Sequence, residues 1–167
     1  MQGLDPSDRQ HLDAASGWLG LGCPAEARAE LDAIPGNRQQ HPDVLEARWA
    51  WYAHERDWAA ALEVARAELA AAPDECDGWL HQAYALRRVP DGGLPRAWAA
   101  LLPAAEKFPD EPVVPFNLAC YACQMRQLDA ARQWLQRAMQ AGGREAIRKM
   151  ALADDDLQPL WKEIRER

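Results

Sequence analysis

Lysine is missing from the first 106 residues, so every permanent cation before Lys107 is an arginine. Arginine's planar fork suits bidentate contact with carboxylates, which leans towards protein surfaces as partners. Cysteine is sparse as well: Cys23, Cys76, Cys120 and Cys123 are too few and too irregularly spaced for a disulfide framework in a chain of 167 residues, and they read as reduced thiols. The longest charge-free stretch, residues 112 to 125, contains proline, asparagine and glutamine and falls short of the roughly 18 to 20 apolar residues of a membrane span. No membrane partner is expected. The opening segment, Met1 to Asp13, carries Asp5, Asp8 and Arg9 around no apolar centre, unlike a secretory signal, so a cytoplasmic location is expected. Excess positive charge is absent: 26 acidic against 19 basic residues leave a net charge of −7, which opposes the counterion release behind nucleic-acid binding. β-Branched residues are scarce and no segment alternates apolar with polar residues over a strand's length, so a sheet has no support.

What is present is a helical chain with punctuation. Hydrophobic residues make up 49% and charged residues 27%, the balance of a globular domain with a sizeable core. Glycine and proline collect at Gly20 to Pro24, Pro35-Gly36, Pro42, Pro73, Pro90 to Pro95, Pro109 to Pro115 and Gly142-Gly143, each cluster ending one helix or starting the next. Between them lie helix pairs at about 7 to 20 with 24 to 34, 43 to 54 with 58 to 71, 75 to 88 with 93 to 107, and 112 to 125 with 128 to 141. Short connections make each pair antiparallel. Two further segments, about 143 to 152 and 156 to 165, close the array, with Leu157, Leu160, Trp161 and Ile164 at helical spacing.

The pairs repeat. Ala27, Ala61, Ala97 and Ala131 stand at steps of 34, 36 and 34 residues, the mark of a solenoid whose units are too small to bury their own apolar faces and must stack. Here the chain resembles the tetratricopeptide repeat, which has a 34-residue period, a W-x2-L-G-x2-Y pattern in its first helix, A-x3-F in its second and a closing proline. The fourth unit carries Leu118, Ala119, Ala122, Ala131, Leu135 and Ala138, and the third Trp79, Ala83, Leu86, Ala97, Leu101, Ala104 and Pro109. The second keeps Tyr52, Ala61 and Pro73, and the first, more degenerate, has Ala15, Trp18, Ala27, Leu31 and Ile34. Trp49 and Glu68 depart from the pattern, each at a position where the family favours a small residue, and the third unit has two extra residues in its turn. The resemblance implies an all-α fold, a right-handed α-solenoid of antiparallel helix pairs. It implies one domain over residues 1–167, with repeats at 8–41, 42–75, 76–111 and 112–145 and a C-terminal cap at 146–167. Most of the eight tryptophans are expected to pack between helices, since Trp58 and Trp134 flank the repeated alanines at helical spacing.

Motifs that carry chemistry have plainer readings. Cys120-x-x-Cys123 lies well past the start of a predicted helix, where no helix terminus lowers a thiol pKa, and no second ligand pair completes a zinc site. Small-residue packing is expected, and metal or redox work is a lesser alternative. Gly20-x-Gly22 lacks the strand and third glycine of a phosphate loop. Asp154-Asp155-Asp156 precedes an amphipathic segment and reads as an N-cap. His11, His41, His54 and His81 fit no ligand spacing. No catalytic residue, metal or cofactor is expected.

The inner face formed by the first helices of the units is the expected working surface. Counting at helical spacing, it gathers Glu46 from the second unit, Asp77, His81, Tyr84, Arg87 and Arg88 from the third, and Phe116, Asn117 and Gln124 from the fourth. Phe116 and Tyr84 are apolar anchors, the two arginines charge-assisted donors, and Asn117 a backbone clasp. Tetratricopeptide proteins that receive acidic chaperone tails use lysines, arginines and asparagines on this face. This chain lacks the lysines and offers Asp43 and Glu46 instead, so that role is not expected. The leading reading is a non-catalytic module that binds a segment of another protein. A dedicated chaperone shielding one client, similar to the small acidic tetratricopeptide chaperones of type III secretion, is the alternative. Self-association through the degenerate first repeat also stays open.

Overall fold

The computed structural model describes residues 3–166; Met1, Gln2 and Arg167 lie outside the described residues. Every regular element among them is helical, with no strand. None of these helices is long and apolar enough to cross a membrane. The chain divides after Val89 into two compact units. The division falls inside the segment expected as the third repeat, 76–111.

The first unit holds α1 (Pro6–Gly20), α2 (Pro24–Ala33), α3 (Pro42–His54), α4 (Trp58–Ala71) and α5 (Asp77–Leu86). Proline opens the first three, where its fixed φ is already helical and its missing N–H would have had no intrahelical acceptor. Asp5 and Asp8 close a capping box at the start of α1, and the Asp57 carboxylate accepts from the Ala60 N–H to cap α4 at 3.1 Å. Asp8 is buried, and the Arg38 guanidinium compensates it. Helix α1 packs on α2, α3 on α4 and α4 on α5. The core between α1, α2 and α3 comprises Ala15, Ala27, Leu31, Ile34 and Val44, with Trp51 at its edge.

The turns show the repeat in their chemistry. Gly22, Arg56 and Arg126 have φ of 72°, 58° and 63°, and each stands two residues before a second helix (Pro24, Trp58 and Leu128). The next N–H in each case reaches back five residues, from Cys23 to Trp18, Asp57 to Tyr52 and Gln127 to Ala122, at 2.9 to 3.0 Å. This is the Schellman closure, which satisfies carbonyls the helix end leaves open. The chain makes the same reversal three times, twice with arginine where glycine would be less strained.

The second unit holds α6 (Leu94–Leu101), α7 (Ala104–Lys107), α8 (Val113–Gln124), α9 (Leu128–Gly142), α10 (Arg144–Ala153), a 3-10 turn (Asp155–Leu160) and α11 (Trp161–Glu166). The single helix expected over 93 to 107 is two, because Pro103 has no N–H for the carbonyl four residues back. Helix α8 is enclosed on nearly every side, with Val114 to Phe116 and Leu118 to Cys123 all buried. It packs against α6, α7, α9 and the 3-10 turn.

The four repeated alanines are fully buried, at 0% exposure. None of the eight tryptophans is. They lie at helix edges, where Trp51, Trp79 and Trp161 donate their indole N–H to the carbonyls of Pro24, Pro73 and Ala151.

Candidate functional site

Helices α3, α4 and α5 bring most of the expected first-unit residues to one surface. His81 is held from two sides: its ring stacks on Trp49 with centroids 3.8 Å apart and planes 13° from parallel, and its Nδ1 lies 2.8 Å from the Glu68 carboxylate. Glu68 is buried. Tyr84, one turn along α5, meets Trp49 and Trp58 edge-on or tilted, at 5.8 Å from each. The Arg88 guanidinium lies 3.5 Å from the Tyr84 ring centre and 5.0 Å from that of Trp58. It also donates to the Tyr84 carbonyl at 2.9 Å. Tyr84 nevertheless keeps 38% of its surface exposed.

Beside this stack, Ala53, Arg56, Trp58, Tyr84 and Arg88 line an open hollow of about 500 Å3. Arg56 projects from the left-handed turn before α4 and is exposed. The acidic neighbours in that turn are already engaged: Asp57 caps α4, and Glu55 sits 3.3 Å from His54.

The opposite end of the surface is acidic. Glu46 and Asp77 are exposed near the starts of α3 and α5. Desolvation by its neighbours, and then the negative charges of Asp77 and Glu68, raise the Glu46 pKa, with His81 pulling the other way and Asp43 adding to the rise. Carboxylates thus crowd at the helix starts, while Arg87 and Arg88 follow the end of α5. Both placements agree with the helix dipole. Together they give the surface an acidic and a basic pole.

In the second unit the expected residues are turned to internal use. Phe116 is buried at 6% exposure. Asn117 donates to the Val113 carbonyl one turn back at 2.9 Å, and Gln124 to the Asp156 carbonyl at 2.9 Å. Cys120 and Cys123 are both buried and outside any disulfide. Burial, and then the charge of Asp156, push the Cys123 thiol up in pKa, away from the reactive thiolate. Cys120, Asp154 and Asp156 bring ligand atoms within 4.8 Å of one another. One Asp154 oxygen accepts the Asp156 N–H at 2.9 Å and the other faces Cys120 Sγ at 3.6 Å. Asp154 thereby caps the 3-10 turn.

Register counting on the sequence missed Trp49, Trp58, Glu68 and Arg56 as members of the surface. Two of these had a signal, since Trp49 and Glu68 are bulky or charged where the repeat pattern favours a small residue. No protein-family model and no curated protein matches the chain.

Proposed function

We propose that the chain is a non-catalytic, tetratricopeptide-like helical-repeat module of the cytoplasm. In this reading the α3–α5 surface binds a segment of another protein. The observation that carries the reading is the stack Glu68–His81–Trp49–Tyr84–Arg88, whose inner members are locked while Tyr84 stays 38% exposed. A preordered aromatic with an arginine over its ring loses little freedom on binding, and tyrosine and arginine are common interface anchors. The surface also selects by charge. Glu46 and Asp77 accept a basic side chain of the partner, and Arg56 and Arg88 accept an acidic one beside the Tyr84 ring. Burying one apolar anchor contributes about 1.5 to 3 kcal/mol. Two or three anchors with the arginine pair reach about −8 kcal/mol, near micromolar affinity.

The test is a library of decapeptides displayed against the full chain, followed by the double variant Tyr84→Ala with Arg88→Glu. The selected peptides are expected to pair a basic with an acidic residue and to lose at least tenfold in affinity for the variant, whose helicity stays unchanged by circular dichroism. Selection without a charge pattern, or unchanged binding by a folded variant, overturns the assignment.

A further inference from the structure

A second, separate cleft of about 380 Å3 opens in the second unit between α9, α10 and the α11 segment. Its volume lies within the roughly 300 to 1,000 Å3 range of small-molecule sites. Leu135, Met139, Leu160 and Ile164 form the apolar part of the lining, and two glutamines, Glu163 and three guanidiniums form the polar part.

Two of those guanidiniums are committed to holding the walls. Arg132 grips the Glu163 carboxylate at 2.8 and 2.7 Å and also meets Asp129 at 2.6 Å. Arg148 donates to the carbonyls of Ile164 and Arg165 at 3.0 and 3.3 Å and lies 3.5 Å from Glu145. These contacts tie α11 to α9 and α10. The third, Arg144, has no ion-pair or hydrogen-bond partner among the described residues and is exposed at the first position of α10. Gly143, at φ 82°, precedes it and brings no side chain to cap the first amides of that helix. Glu163, the acid in the cleft lining, is already paired with Arg132. A cleft with an apolar floor therefore has on its wall one uncommitted arginine, at the first position of a ten-residue helix.

We propose that this cleft binds a small organic acid, with its apolar portion against Leu135, Met139, Leu160 and Ile164 and its carboxylate on Arg144. The charge balance of the second unit does not oppose the anion. Residues 90–167 carry 11 basic and 11 acidic side chains, so no general negative field repels it.

The experiment is a titration of the full-length, isotope-labelled protein with octanoate, read by amide chemical shifts. Saturable shifts confined to α9, α10 and α11 are expected, with octanol binding at least fivefold more weakly. Arg144→Glu is expected to weaken octanoate at least tenfold and leave octanol unchanged, because Arg144 is exposed and holds no structural contact. Met139→Trp, which fills the cleft, is expected to abolish both while the rest of the spectrum is preserved. Non-saturating shifts, equal affinity for octanoate and octanol, or an Arg144→Glu variant that binds octanoate normally overturn the proposal. So does tighter binding of the tripeptide Ala-Ala-Leu than of octanoate, which would give the cleft to a protein's carboxyl terminus.

Discussion

Glu46 is the side chain on the α3–α5 surface whose ionisation the native state resists. Its folded pKa stands above the ordinary value of 4.5, through desolvation first and the charges of Asp77, Glu68 and Asp43 besides. A carboxyl raised in this way favours folding while it is neutral. That contribution is complete below its unfolded pKa and is lost as pH rises through the folded one. At pH 7 Glu46→Gln is therefore expected to be the more stable protein, by less than about 1 kcal/mol because solvent screens an exposed site. The advantage should vanish near pH 4, as urea unfolding at the two pH values would show; the same difference at both would assign it to helix propensity instead. A basic side chain of the proposed partner, seated between Glu46 and Asp77, would relieve the same crowding. Much of this surface was legible from register alone: Glu46, Asp77, His81, Tyr84 and Arg88 follow from helical spacing. Trp49 and Glu68 were visible only as departures from the repeat pattern, and both turn out to hold His81. Phe116 is different, since it is buried. Register places it on a face, but α8 is enclosed on nearly every side, which a periodicity cannot express and the uncharged stretch 112 to 125 could have signalled.

Elements meet through a few close approaches that a periodicity does not reveal. Helix α5 comes so near α4 at Gly78 that an added Cβ would lie 2.8 Å from the Leu69 backbone nitrogen and 2.9 Å from its Cα. Those atoms belong to a helix backbone and cannot swing aside. Helix propensity alone predicts that Gly78→Ala gains about 1 kcal/mol. The close approach predicts the opposite, a loss of about 1 to 3 kcal/mol as α5 is forced off α4. Urea unfolding decides by the sign, and a stabilised variant would mean that the contact is loose. The helix ends and turns were legible because glycine, proline and aspartate mark them. The split between α6 and α7 was legible in principle too, from Pro103, but a strong apolar pattern on both sides masked it. The left-handed Arg56 and Arg126 had no such mark, since tertiary and capping geometry overrides a residue's own preference there.

At the scale of the whole chain, charge follows the division after Val89. Residues 1–89 hold 15 acidic and 8 basic side chains, residues 90–167 hold 11 of each, and the net charge of −7 therefore belongs to the first unit. The acidic pole of the α3–α5 surface lies in that charged unit, and the cleft beside Arg144 lies in the neutral one. The even period of the alanines gives no hint of this division, because small packing residues repeat whether a row of helices forms one cooperative body or two. The cores do. Ala15, Ala27, Leu31, Ile34 and Val44 close one within the first unit, and α8 is buried by α6, α7, α9 and the 3-10 turn of the second. Fragments 1–89 and 90–167, produced separately, are accordingly expected to be helical and to unfold cooperatively, each with its own urea midpoint. Within the intact chain, Gly78→Ala should lower the stability of the first unit and leave amide-exchange protection in α8 and α9 unchanged. Loss of α8 protection in that variant, or a 90–167 fragment without a cooperative transition, would show a single cooperative body, in which the periodic alanines report how the chain folds as a whole.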